Sequence, residues 1–193
     1  MELHMATPSL RADDVPQRVL PDPQSIPAGR ALKYRLDVLA IDSAEVAGTI
    51  GGWVFDRAMA GWEVNVLLAE PDCGQPLRIL GARAGVLAGG ADAVFAEAAA
   101  GLAVSAALMA AHPHLVDDVR RTTRAGRTEV AVWGGAELAG PVDRVHYRPS
   151  AAARVFKRHA LTAAGRPDAV IGDVEDMFRG GHRPVDSDLL PVD

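Results

Sequence analysis

His112-Pro113-His114, with Asp117 and Asp118 just beyond, is the group of side chains in this sequence that most resembles a metal site. Two imidazoles and two carboxylates are donors that a transition metal accepts. The spacing argues for another role. An H-x-H pair at the start of a helix does not project both rings to one side of it. Aspartates in a first helical turn answer the partial positive charge of the free N–H groups there. Pro113 is at home in the first helical position. These residues are therefore read as a helix start, and no metal is expected.

Basic residues give two further candidates. Arg120, Arg121, Arg124 and Arg127 cluster, but Asp117 stands three and four residues before the first two and can pair with them. Arg124 and Arg127 remain unpaired, and without interleaved aromatic residues single-stranded nucleic acid is a poor fit. Arg148, Arg154, Lys157 and Arg158 form the best anion-facing surface in the chain. A solvated helix face, or docking of the acidic C-terminal residues, accounts for them equally well. Cys73, the only cysteine, lies in the turn EPDCGQ with no adjacent base to activate it. The chain has no G-x-S-x-G, H-E-x-x-H, C-x-x-C or G-x-x-x-x-G-K-[ST] pattern.

A cofactor site is tested at the turn IDSAEV, where a first strand would meet a first helix. A dinucleotide site needs glycines there, so that backbone N–H groups can cradle a pyrophosphate. This turn has none and carries two carboxylates, which repel phosphate. Gly48, Gly51 and Gly52 fall one to two turns inside the expected helix. Glu70, at the end of the next strand, stands where a ribose-binding acid would, but a lone acid is weak support. No cofactor is expected.

The elements that would position these residues follow from pattern. LKYRLDVLAI alternates like a strand with one buried face. Asp42 and Glu45 resemble a capping box opening a helix over 43–60, closed at Gly61. VNVLLA is a second strand and PLRILGA a third. Because the link between those two is too short for a parallel crossover, they are expected to pair antiparallel. A long alanine-rich helix over 91–111, a helix from Pro113 to Gly126, strands TEVAVW and DRVHY, and a helix over 151–164 capped by Ser150 complete the reading. The expected fold is α/β of the α+β type, a two-layer sandwich of β-α-β-β-α-β order with an extra C-terminal helix. The alternative is a degenerate Rossmann-like fold of three layers. Residues 1–30, rich in proline, are expected to be an extended or disordered arm, 31–165 a single domain, and 166–193 an acidic, mostly irregular tail with one helical turn near 174–178.

The 193 residues are 49% hydrophobic and carry a net charge of −5. That is enough apolar material for one core, and the charge attracts neither nucleic acid nor anionic lipid. Lysine occurs only at Lys33 and Lys157, and alanine abounds, as in a bacterial gene of high GC content. No apolar run reads as a signal peptide or a membrane span, so a cytoplasmic protein is expected. The helix over 43–60 has one core stripe at Ala47, Gly51, Val54, Phe55 and Ala58, continued at the same spacing by Trp62. It has a second at Val46, Ile50, Trp53 and Arg57. Trp53 and Arg57 are four apart, so the guanidinium can lie over the indole, and both types are enriched at interface hot spots. Another element of the same chain, such as the arm or the last helix, can cover that second stripe, and a partner surface is the sharper reading. The expected function is a non-catalytic one, through self-association or a protein partner docking on it. The alternative is a small-molecule or nucleotide-binding enzyme with a degenerate Rossmann-like core, using the loop after Ile41 and Glu70.

Overall fold

The computed structural model describes residues 34–87, 92–96, 99–135, 142–185 and 187–192, so the expected N-terminal arm lies outside the described residues. In chain order the elements are β1 (Arg35–Ala40), α1 (Ser43–Thr49), α2 (Gly51–Met59), β2 (Glu63–Leu68), α3 (Gln75–Ile79), β3 (Arg83–Val86), α4 (Asp92–Ala96), β4 (Gly101–Ser105), α5 (Ala106–Ala111), α6 (Pro113–Ala125), β5 (Glu129–Trp133), β6 (Asp143–Tyr147), α7 (Ala151–Ala163), β7 (Glu175–Gly181) and β8 (Leu190–Pro191). The fold is α/β: the strands form one mixed sheet in the order β3-β2-β1-β4-β5-β7-β6-β8. The first five are parallel, and β7, β6 and β8 extend them in antiparallel pairs.

Helices cover both faces of the sheet, so the architecture is the three-layer, Rossmann-like alternative. One core joins Leu36, Val38, Val66 and Trp133 to Val46, Val54, Leu77 and Leu161 of α1, α2, α3 and α7. The other joins Leu39, Val104, Val130 and Val132 to Leu108, Leu115 and Val119 of α5 and α6. β1 is buried along both faces rather than one, as parallel strands under two helical layers must be. None of the described helices is long and apolar enough to cross a membrane.

Three expectations about elements are corrected. PLRILGA is not a hairpin strand. Pro76 opens the short helix α3, and segment 69–82 is long enough to carry the chain over to β3, parallel to β2. The alanine-rich stretch is not one helix, because GLAVS is the fully buried strand β4 between β1 and β5. Alanine favours helix, but a site at the middle of the sheet outweighs that preference. Residues 166–193 are not an irregular tail. They supply β7, which inserts between β5 and β6.

The helix expected over 43–60 is broken at Ile50 (φ −111°, ψ 13°), and the break is filled by charge. In an unbroken helix the N–H of Trp53 would bond to the carbonyl of Thr49. Here the N–H groups of Gly52 and Trp53 donate to Glu175 of β7 at 2.8 and 2.9 Å. Lys157 of α7 donates to the Thr49 carbonyl at 3.1 Å and to Glu175 at 2.5 Å. Burial pushes the Glu175 carboxyl above its ordinary range, while Lys157 and the two backbone N–H groups pull it back. Position 52 must be glycine for the carboxylate to approach: a Cβ there would lie 2.6 Å from Pro149 Cγ and 2.9 Å from Glu175 Oε1.

Gly52→Ala should therefore cost about 1–3 kcal/mol in urea denaturation, as overpacking does. Gly51→Ala should change stability by less than about 1 kcal/mol, because its nearest neighbour is a side-chain methyl group, Leu80 Cδ1 at 3.3 Å, and not backbone or charge.

Candidate functional site

In open parallel sheets, ligands bind beyond the carboxyl ends of the strands, where the chain reverses its direction of winding. Here that point lies between β1 and β4. Asp42 caps α1 by accepting from the N–H of Glu45 at 2.7 Å. Glu45 turns back, and one of its oxygens accepts from the N–H of Ile41 at 3.0 Å. The capping box is thus present in modified form, reaching Ile41 rather than the cap residue's own N–H. The other oxygen of Glu45 accepts from the Ser105 hydroxyl at the end of β4. Ser105 Oγ in turn accepts from the N–H of Leu108, capping α5 at 3.2 Å. The crevice between β1 and β4 is therefore stitched shut by the chain's own carboxylate.

Open space lies next to it, towards β2. A cavity of about 440 Å³ is lined by Asp42, Ser43, Glu70, Asp72, Cys73 and Pro76, among others. Asp72 is the ordered group in it. It accepts from the Ser43 hydroxyl and, at 2.7 Å, from the N–H of Gly74. Ser43 is fully buried, so it orients Asp72 and is not itself a nucleophile. The exposed Asp72 carboxylate keeps lone pairs facing solvent, suited to accepting a proton from water or from a substrate hydroxyl. Asp42, Glu70 and Asp72 make this edge acidic, which disfavours phosphate. Glu70 does line the cavity, and its backbone N–H donates to the Ile41 carbonyl at 2.8 Å. Cys73 is exposed.

The residues expected to form an interface are placed inside the fold. Val46 and Ile50 are fully buried, Trp53 is 1% exposed and Arg57 6%. α7 and the strands around β7 cover this stripe from within the same chain. The guanidinium does lie over the Trp53 ring, 5.1 Å from its centroid, and more closely over Trp62 at 4.0 Å. It is fixed by Asp188 at 2.5 Å and by the buried Glu129 at 3.1 Å. The expected docking surface is corrected accordingly: a helix with two apolar faces is here a helix between two parts of one core.

The expected anion-facing group is not brought together either. Lys157 is buried against Glu175, Arg154 is half-buried, and Arg148 and Arg158 are exposed. His112 and His114 meet edge to edge with centroids 5.8 Å apart, at the start of α6. Asp117 pairs with Arg120 at 3.6 Å, and Asp118 with Arg121. Sequence reasoning passed over Ser43, Asp72 and Ser105. Asp72 had one usable signal, the Asp-x-Gly turn; Ser105 was hidden inside a stretch read as helix.

No family model matches the chain, and no curated protein does. Solved structures do share the fold. A deacetylase of the teicoplanin biosynthetic pathway, solved as a triple mutant, aligns with a TM-score of 0.55 at 13% identity, over 79% of this chain and 100% of its own. The antimicrobial A40926 pseudoaglycone deacetylase aligns with a TM-score of 0.52 at 12% identity, over 79% and 99%. A zinc-inhibited form of the teicoplanin deacetylase aligns with a TM-score of 0.52 at 13% identity, over 79% and 100%. At such identities the likeness is one of fold. Among the described residues of this chain, no three of His, Cys, Asp and Glu are grouped to hold a metal ion, so the donor set does not fit a zinc site. The expectation of a non-catalytic contact protein is overturned on two grounds. Its stripe is internal, and the solved structures named above that share the fold are deacetylases, not contact proteins.

Replacing Arg57 by Ala should cost about 3–5 kcal/mol of stability in chemical denaturation, because Glu129 would be left buried without its cation.

Proposed function

We propose that this chain is a small-molecule-binding enzyme with a Rossmann-like core, working at the carboxyl-edge cavity beside β1 and β2. The observation that carries this reading is the Ser43–Asp72 pair. It is a carboxylate oriented by a buried hydroxyl and a backbone N–H, at the edge of the sheet where such folds bind ligands. The acidic lining favours a substrate that is neutral or carries an amine, and disfavours a nucleotide. Solved structures that share the fold are deacetylases, so hydrolysis of an N-acyl group is the reaction class to which the reading extends. Asp72 would take a proton from water as its oxygen bonds to the acyl carbon, and would return that proton to the nitrogen as the C–N bond breaks, leaving the free carboxylic acid and the amine.

The test is acetate release from a panel of N-acetylated amines, alongside thermal shift with the same compounds. Asp72→Asn should lower turnover about 10²–10⁴-fold, the usual share of a general base, with stability within about 0.5 kcal/mol of the parent. Undiminished turnover in this variant would remove Asp72 from the role. Binding without acetate release would keep the site and remove the chemistry.

A further inference from the structure

A second cavity lies at the opposite edge of the sheet, among the segments that lead into the parallel strands. It measures about 830 Å³, within the range of small-molecule sites. Its wall includes Tyr34, just before β1, and Trp62, just before β2, with rings stacked at 5.1 Å and 27°. Arg57, Arg127, His182, Asp56 and Asp188 supply the charged and titratable part of the lining.

Pairing settles which charge is left over. Asp56 accepts from Tyr147 Oη at 2.7 Å, from the N–H of Ser150 at 2.9 Å and from Ser150 Oγ at 2.7 Å. Asp188 accepts from Arg57 Nε at 2.9 Å, from Arg57 Nη2 at 2.5 Å and from Trp53 Nε1 at 3.3 Å. Both acids are thus engaged by the protein itself. On the basic side, Arg57 is nine-tenths buried, yet its Nη1 makes no hydrogen bond among the described residues. Arg127 has no ion pair among them, and the His182 ring has none. The donors left over are cationic or N–H, and they stand beside the Tyr34–Trp62 stack, whose exposed member is Tyr34.

We propose that this amino-edge cavity is a second binding site, for a planar small molecule carrying one carboxylate. The ring would lie against Tyr34, the exposed member of its stack with Trp62, and the carboxylate would be met by Arg127, with Arg57 Nη1 and His182 as further donors. This site shares no residue with the carboxyl-edge cavity, so either can fail without the other.

The probes are 1-naphthoate and its cationic counterpart 1-naphthylmethylamine, titrated calorimetrically into the whole chain. Saturable one-to-one binding of the acid and at least tenfold weaker binding of the amine are expected. Arg127→Ala should weaken the acid roughly tenfold, the worth of one charge-assisted hydrogen bond. His182→Ala should add a smaller loss. Both side chains are exposed, so an unchanged melting temperature will show that the variants are folded. Asp72→Asn, at the other edge, should leave the affinity unchanged. Equal binding of the two probes, indifference to Arg127→Ala in a folded variant, or loss of binding in Asp72→Asn would each overturn the proposal.

Discussion

The Lys157–Glu175 pair occupies a gap in a helix, and much of the domain is arranged around that gap. Breaking the helix at Ile50 frees two N–H groups and a carbonyl inside the core, where bare polar groups are costly. Glu175 takes the two donors and Lys157 takes the acceptor, so the ion pair replaces the missing helical hydrogen bonds. Burying an ion pair is itself expensive, and an apolar substitute is often no worse. Here an apolar substitute would leave three backbone groups unsatisfied, which is why the charges are retained. The start of α2 is also a small anion site of the kind that phosphate-binding folds use, already filled by the protein's own carboxylate.

The same habit appears at the switch point of the sheet. Where a cofactor would sit between β1 and β4, Glu45 bridges Ile41 and Ser105. Intramolecular carboxylates thus occupy both places where a Rossmann-like frame offers N–H groups to a ligand. What stays open is displaced: one cavity towards β2, lined by acids, and one at the far edge, with basic groups to spare. The two differ in the sign of their uncommitted charge, which makes them suited to different ligands.

Much of the frame was legible. Strands β1, β2, β5 and β6, helix α6 and the Ser150 cap of α7 lie where period and capping residues put them. The failures have physical causes. β7 was missed because its inward positions are Glu175, Met177 and Arg179, so its buried face is largely ionic and apolar periodicity cannot reveal it. β4 was missed because small residues are required where two helical layers and two strands converge, and small residues also favour helix. The second stripe of α2 was read as apolar with two possible covers, another element of the chain such as the last helix or a second molecule, and the fold supplies the first. The segment that covers it, from β7 to Asp188, had been dismissed as irregular. Asp72 drew no notice because an acid in a turn is ordinary until its hydrogen bonds are known.

The insertion of β7 between β5 and β6 has a consequence for how the protein comes into being. Domains emerge from the ribosome amino end first. Every other element that β7 joins has been synthesised before it. Until Glu175 arrives, the head of α2 lacks its anion, Lys157 lacks its partner, and β5 and β6 each present an open edge. An interrupted chain therefore remains recognisably unfinished to chaperones and proteases, even with its parallel strands complete. β7, with only the two-residue β8 still to follow, thus joins two parts of the sheet that are made before it.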